Sequence, residues 1–154
     1  MSATRQNTGL DYASMAVSII GISIPLFVIG PILVFVFALR LKWIPTSGWI
    51  MAGGSWKTAF MPVITLCLPY FAYIARLSRA SILEVLRSDY VRTARAKGLG
   101  ESAIMFRHIL KGALLPVVSY LGPAFAAIVT GTVVVETIFR VPGLGLFFIQ
   151  SAPR

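Results

Sequence analysis

Three long apolar segments dominate the chain, at about residues 13–39, 59–75 and 113–139. The first two hold no charged residue, and the third holds only Glu136. A helix needs roughly 20 predominantly apolar residues to cross a membrane, so the pattern predicts three spanning helices, of which the second is short. The predicted fold class is therefore an all-α transmembrane bundle of about three spanning helices.

Prolines and small residues occur within all three apolar segments. Proline is tolerated in a spanning helix when neighbouring helices satisfy the carbonyl that it frees, so we expect kinked helices packed in a bundle. Small residues four positions apart, such as Gly122 with Ala126 and Ala127 with Gly131, favour close helix approach over chance spacing. The prolines are Pro25, Pro31, Pro62, Pro69, Pro116 and Pro123.

Composition supports a membrane protein and decides how the positive charge is interpreted. The 154 residues are 57% hydrophobic and 12% charged, whereas a soluble domain is roughly a quarter charged. The net charge of +9 fits either a nucleic-acid-binding protein or the Lys and Arg excess of cytoplasmic membrane loops. The apolar content favours the second interpretation, and no nucleic-acid partner is expected.

The basic residues are distributed unevenly between the loops, which predicts the orientation. Loop 76–112 holds eight Lys and Arg, against three in loop 40–58. The richer loop should be cytoplasmic, which puts 40–58 and 140–146 on the extracytoplasmic side. Three tryptophans fall in the outer loop, where aromatic side chains suit the membrane interface: Trp43, Trp49 and Trp56.

The central loop has the pattern of two helices joined by a sharp turn. Residues 76–97 hold no Gly or Pro, and Gly98 after a basic last turn is typical of a helix C-terminus. Glu101 and Ser102 can begin a second helix, because acidic and hydroxyl residues favour its first turn. The first helix should present one apolar face, formed by Leu83, Leu86, Tyr90 and Ala94.

Three interpretations of that apolar face remain open from periodicity alone. The face could lie on the membrane surface while its basic neighbours meet anionic lipid. It could pack within the protein itself. It could also dock into a groove of a partner protein, as amphipathic helices do.

Three stretches of the chain resemble one known family, in the same order. YVRTARAKGL (90–99), followed by RHILKGALLP (107–116), resembles the cytoplasmic EAA loop of bacterial ABC-importer permeases. ETIFRVPGLG (136–145) and LDYASMAVSIIGISIPLFVIG (10–30) are similar to membrane segments of the dipeptide/oligopeptide/nickel branch. The resemblance covers nearly the whole chain and implies part of an ABC-importer permease fold.

The resemblance assigns a coupling role to the loop, which in that family docks on a cytoplasmic ATPase subunit. Arg92, Thr93 and Ala94 fall where the family has Glu-Ala-Ala, and Gly98 is its central glycine. Arg92 thus replaces an acidic residue, and Pro116 comes later than in the general pattern, as in the peptide branch. The ATPase-coupling residues implied are Arg92, Thr93, Ala94, Ala96, Lys97, Gly98, Leu99 and Met105.

The resemblance also implies a function and a set of partners. The chain would be a permease subunit that forms part of the path for peptides or related small solutes. Its partners would be a second permease subunit, two ABC ATPases, a solute-binding protein and the bilayer of the bacterial inner membrane. ATP and magnesium would bind to the ATPases, so no cofactor is expected in this chain. Residues 1–154 would form a single, partial permease domain equivalent to spans three to five of about six, with loop 76–112 inside it.

For the remaining ionisable and reactive side chains, structural roles are the preferred interpretation. Glu136 and Arg140 have the spacing of an i, i+4 ion pair, which we prefer to a solute contact. His108 has no ligand partners for a metal, and Cys67 in an apolar run is expected to be buried and inert. The chain has no GxxxxGK[ST] phosphate loop and no catalytic constellation, which indicates a non-enzymatic subunit. An outer-mouth turn is predicted at Pro142, Gly143 and Gly145, although a simple helix terminator fits the composition equally.

One function from a different class stays open. The chain could be a small membrane protein whose basic amphipathic loop binds anionic lipid.

Overall fold

The computed structural model describes residues 8–46 and 56–151, and these residues form helices without a strand among them. Trp49 and the middle of the predicted outer loop, residues 47–55, lie outside the described residues. The helices are α1 (Gly9–Ser23), α2 (Leu26–Leu33, followed by a π-helical segment Val34–Arg40), α3 (Trp56–Leu86), α4 (Asp89–Ala96), α5 (Glu101–Ile104, followed by a π-helical segment Met105–Ile109), α6 (Leu110–Thr130), α7 (Val133–Phe139) and α8 (Leu144–Ser151).

Helices long enough to span a membrane are present, as predicted, but their bounds differ. Trp56–Leu86 and Glu101–Thr130 are each long and apolar enough to cross, within the described residues. Two bent helix pairs would raise the number of spans to as many as four if each counts as one. The all-α transmembrane class is therefore confirmed, whereas the segments at 13–39 and 113–139 are not continuous helices.

The breaks in these two segments have local causes. Pro25 has an extended backbone before α2, because proline has no N–H with which to continue the helix of α1. Gly131 has a φ of +84°, which ends α6, and Thr132 is extended before α7. The other prolines of the apolar segments lie inside helices, as predicted: Pro31, Pro62, Pro69, Pro116 and Pro123.

The chain divides into two compact units. The first comprises Met1–Ile20 and Ala72–Pro123, and its core lies in the central loop. In the same unit, the rings of Tyr73 on α3 and Tyr120 on α6 stack with centroids 4.3 Å apart. This unit therefore contains the whole candidate coupling loop.

The second unit comprises Gly21–Phe71 and Ala124–Arg154. Its core is formed by Ala38, Met61, Val135 and Phe139, each less than a tenth exposed. Gly30 lets α2 approach α7 closely, since a Cβ there would lie 3.1 Å from Cδ1 of Ile138.

Many large apolar side chains remain exposed, as expected of a protein that faces lipid or further chains. Cys67 is among the exposed residues, so the prediction of a buried thiol is wrong. Gly122 has no atom within 4 Å of its Cβ position, so the close approach expected there is not made among the described residues. Trp43 and Trp56 are also exposed.

Candidate functional site

The candidate site begins at a break between α3 and α4. The absence of Gly and Pro predicted one helix through residues 76–97, but α3 ends at Leu86 and α4 begins at Asp89. Ser88 is extended, with φ −70° and ψ 151°, and its hydroxyl donates to the carbonyl of Val85 at 2.6 Å. Serine followed by aspartate is typical of a helix N-terminus, and α4 begins here although Ser88 makes no side-chain cap hydrogen bond.

The turn after α4 is built around Gly98. The N–H of Leu99 donates to the carbonyl of Ala94 at 3.3 Å, and the N–H of Gly98 donates to that of Arg95 at 2.9 Å. These two bonds form a Schellman motif, which requires a left-handed residue after the helix. Gly98 supplies it with a φ of +76°, so the predicted sharp turn is confirmed.

The two helices of the loop share a small apolar core. Val91 and Ala94 of α4 are buried with Ile104 and Ile109, and Val91 and Ile104 are 0% exposed. Around them pack Ile82, Val85, Leu86 and Met105. The apolar face of α4 is therefore covered within the chain. The predicted face was partly wrong, because Tyr90 is exposed and Val91 is the buried residue.

An ion pair joins the two sides of the turn. Nε of Arg95 donates to Oε1 of Glu101 at 2.8 Å, and Nη2 donates to Oε2 at 3.3 Å. The hydrogen bond and charge of Glu101 raise the pKa of Arg95. In turn, the hydrogen bond from Arg95 and its positive charge lower the pKa of Glu101. Both side chains are well exposed, so the pair bridges the turn but adds little to stability.

The predicted coupling residues divide into six that are exposed and two that pack in the core of the loop. The exposed residues are Arg92, Thr93, Ala96, Lys97, Gly98 and Leu99. Ala94 is 4% exposed and Met105 is half-buried, and both pack in the loop core. Ala94 therefore cannot contact a partner while α4 stays packed on α5. The charge of Arg92 is little engaged, since its contact with Asp89 is 3.4 Å long and exposed.

The second candidate region, the turn before α8, is organised by Glu136. This residue is 6% exposed. Its carboxylate accepts hydrogen bonds from the N–H of Gly145 at 3.2 Å and of Leu146 at 2.7 Å. The ion pairs among the described residues do not include Glu136 with Arg140, so that spacing-based interpretation is wrong. Pro142 and Gly143 lie in the bend between α7 and α8, and Gly145 lies in the first turn of α8.

One contact in the first unit was not predicted from the sequence. Arg79 of α3 donates two hydrogen bonds to the buried carboxylate of Asp11 on α1. Sequence reasoning counted Arg79 only toward the orientation of the loop. The available signal was a lone acidic residue beside an apolar segment, which requires a partner when buried.

No cluster among the described residues suggests a metal centre. Groups of three or more His, Cys, Asp or Glu side chains that could hold an ion are absent from this part of the chain. His108 is half-buried and belongs to no such group.

Comparison with known proteins identifies the family. The profile of the family described as "Binding-protein-dependent transport system inner membrane component" matches residues 1–152. The chain belongs to this family. The resemblance inferred from the loop and from the ETIFRVPGLG segment is thereby confirmed at the family level.

Relatives of this inner membrane component are named as peptide transporters. The oligopeptide transport system permease protein OppB of Salmonella typhimurium is 51% identical over 152 residues, 99% of this chain and 49% of the relative. The dipeptide transport system permease protein DppB of Bacillus subtilis is 43% identical over 151 residues, 98% of this chain and 48% of the relative. The chain thus spans about half the length of the curated relatives it matches. The family and the apolar helices both indicate a membrane-integral subunit of a transport system.

Proposed function

We propose that the chain is a transmembrane permease subunit of an ATP-binding-cassette importer and forms part of the path for peptides or related small solutes. The observation that carries the proposal is similarity along almost the whole chain to permeases named for oligopeptide and dipeptide transport. Helices long and apolar enough to span the membrane agree with it.

The central loop is the proposed contact with an ATPase subunit. Its two helices share a buried apolar core, and the Arg95–Glu101 pair bridges the turn. A compact helix-turn-helix of this kind can transmit a rigid-body movement of a partner to the helices attached to it. The exposed charges of Arg92 and Lys97 suit an acidic rim on that partner.

Lipid binding by the loop is the weaker candidate. A helix lying on a membrane inserts an apolar face, but in α4 that face is occupied by Ile104 and Ile109. The remaining basic residues could still attract anionic headgroups, so the experiment below includes this outcome.

The proposal extends to the rest of the assembly. ATP and magnesium would bind to two separate ATPase subunits, and this chain would catalyse no reaction itself. A second permease subunit and an extracytoplasmic solute-binding protein would complete the importer. In the bacterial inner membrane, loop 76–112 would face the cytoplasm, with 40–58 and 140–146 outside.

Co-purification with a candidate ABC ATPase tests the contact at Gly98. The Cβ positions of Gly98 and Gly100 both point into open space, but only Gly98 has a positive φ. Gly98→Asn introduces a short side chain on a residue type that still tolerates this backbone conformation, whereas Gly98→Trp introduces a large one. We expect graded loss of the complex from Asn to Trp.

Gly100→Ala is the matched control and should retain the ATPase. Retention of the ATPase by Gly98→Trp would refute contact at this glycine. No binding by any ATPase, together with salt-sensitive binding of the chain to anionic vesicles, would instead support the lipid-binding candidate.

A further inference from the structure

Glu136 is a buried carboxylate in an otherwise apolar segment, and its burial requires compensation. A carboxylate removed from water loses several kcal/mol of hydration unless hydrogen bonds replace it. Here the two oxygens accept separate backbone N–H groups, from Gly145 and Leu146. Both donors lie in the first turn of α8, where N–H groups have no partner within the helix.

The side chain of Glu136 acts as the N-terminal cap of α8. Gly143 occupies the N-cap position, because the N–H of Phe147 bonds to its carbonyl at 3.4 Å. A Ser, Asp or Asn usually stands there and accepts hydrogen bonds from the second or third helical residue. Glycine has no such side chain, and Glu136 supplies the acceptor from seven positions earlier in the chain.

Glycines make the space that this carboxylate occupies. A Cβ on Gly143 would collide with Cδ and Oε1 of Glu136, and a Cβ on Gly131 would collide with Oε1. A Cβ on Gly145 would lie 3.1 Å from Oε2. The glycine at the cap position and the distant glutamate are therefore complementary, since neither side of the contact can be enlarged without moving the other.

The backbone of the same residue ends the preceding helix. The carbonyl of Glu136 accepts the N–H of Val141 at 3.0 Å and that of Arg140, which has a left-handed φ of 53°. Glu136 thus holds the C-terminus of α7 through its backbone and the N-terminus of α8 through its side chain. These two helices meet at 105°.

We propose that the side chain of Glu136 positions this corner: reaching from within α7 to cap the N-terminus of α8, it fixes the angle between the two helices. The proposal goes beyond the transport function, because it concerns the shape of the corner whichever solute crosses. Its test requires no transport measurement, so it can fail while the permease assignment stands.

The test is a mutant cycle in the 154-residue chain, purified in detergent micelles. Gly143→Ala should lower the midpoint of thermal unfolding by about 5 °C, the scale of a destabilisation of one to two kcal/mol. In a Glu136→Ala background the space is empty, so the same glycine change should cost nothing. Gly143→Asp should harm the parent chain but raise the midpoint of Glu136→Ala, because a local cap replaces the lost one. Gly122→Ala, at an open position inside α6, is the control and should leave the midpoint unchanged or raise it, because alanine is the better helix former.

A distance measurement separates positioning from stability alone. Spin labels on Thr137→Cys and Ile149→Cys, both exposed, in a Cys67→Ser background would report the angle between α7 and α8. We expect one narrow distance distribution in the parent chain, a broadened one in Glu136→Ala and a narrowed one when Gly143→Asp is added. Glu136→Gln, which keeps one acceptor, should be intermediate and serves if the alanine variant does not fold. Additive effects of the two sites, or an unchanged distribution in Glu136→Gln and Glu136→Ala, would overturn the proposal.

Discussion

Arg79 donates two hydrogen bonds of 2.7 Å to the two carboxylate oxygens of Asp11, 68 positions earlier in the chain. The pair joins α3 to α1 at the end of α1 that precedes the first apolar segment. Burial is unequal, since the side chain of Asp11 is 3% exposed and that of Arg79 is 24% exposed. This asymmetry predicts which partner is harder to lose.

Arg79→Met should destabilise the chain more than Asp11→Asn does. The first change leaves a buried carboxylate without its cation, whereas the second leaves a guanidinium that water can reach. We expect Arg79→Met to cost about 2 kcal/mol, below the 3–5 kcal/mol of a fully buried pair. Unfolding midpoints in micelles measure the difference. Arg76→Met, an exposed neighbour on α3, is the control, and equal costs for the two pair variants would contradict the argument.

Exchanging the charges of Arg95 and Glu101 in a double variant should restore the geometry of the turn that a single charge reversal disturbs. Arg95→Glu alone places two carboxylates together and should loosen the start of α5, while adding Glu101→Arg should recover it. Hydrogen exchange at the amides of Ile104 and Met105, which bond to the carbonyls of Gly100 and Glu101, measures the effect. Full protection from hydrogen exchange in the single variant Arg95→Glu would contradict this prediction.

The same pair predicts a dependence on pH. Because Arg95 lowers the pKa of Glu101 in the folded chain, the stabilisation is present above the unfolded-state pKa of this carboxyl. It is lost as the pH falls through the lower folded-state pKa. Exchange protection of α5, corrected for intrinsic rates, should therefore decrease in acid. The decrease should be absent in Glu101→Gln.

Arg140 should prove replaceable although it stands four residues after Glu136. Its left-handed φ of 53° costs a non-glycine residue roughly 1–2 kcal/mol. We expect Arg140→Ala to change stability by less than about 0.5 kcal/mol and Arg140→Gly to be neutral or stabilising by about 1 kcal/mol. A loss in Arg140→Ala as large as in Glu136→Ala would restore the ion-pair interpretation.

Val91 should be the most sensitive position of α4. It is 0% exposed and packs with Ile104 and Ile109, so Val91→Ala leaves a cavity. We expect a cost of about 2 kcal/mol, seen as faster hydrogen exchange throughout α4 and α5. Thr93→Ala, two positions away and exposed, should leave the exchange rates almost unchanged.

Local patterns predicted the loop well because its determinants lie close together in sequence. Gly98 after a basic turn, with Glu101 three positions on, was enough to predict helix, turn and helix. The break at Ser88 was missed because the apolar spacing continues across it, while the competing N-cap acts through the backbone.

Longer-range features could not be predicted from spacing. The i, i+4 rule paired Glu136 with Arg140, but that rule assumes a continuous helix, and the chain leaves α7 immediately after Phe139. Likewise, nothing periodic connects Asp11 to Arg79. Both carboxylates are explained only when the burial that forces them to find donors is known.

The two ends of the central loop are attached differently. Toward α3, the backbone leaves the helix at Arg87 and Ser88, while toward α6 it stays helical from Glu101 through the π-helical segment. A contact on the surface around Gly98 would therefore reach α6 through unbroken helix. It would reach α3 only through the packing of Ile82, Val85 and Leu86 on the core of the loop.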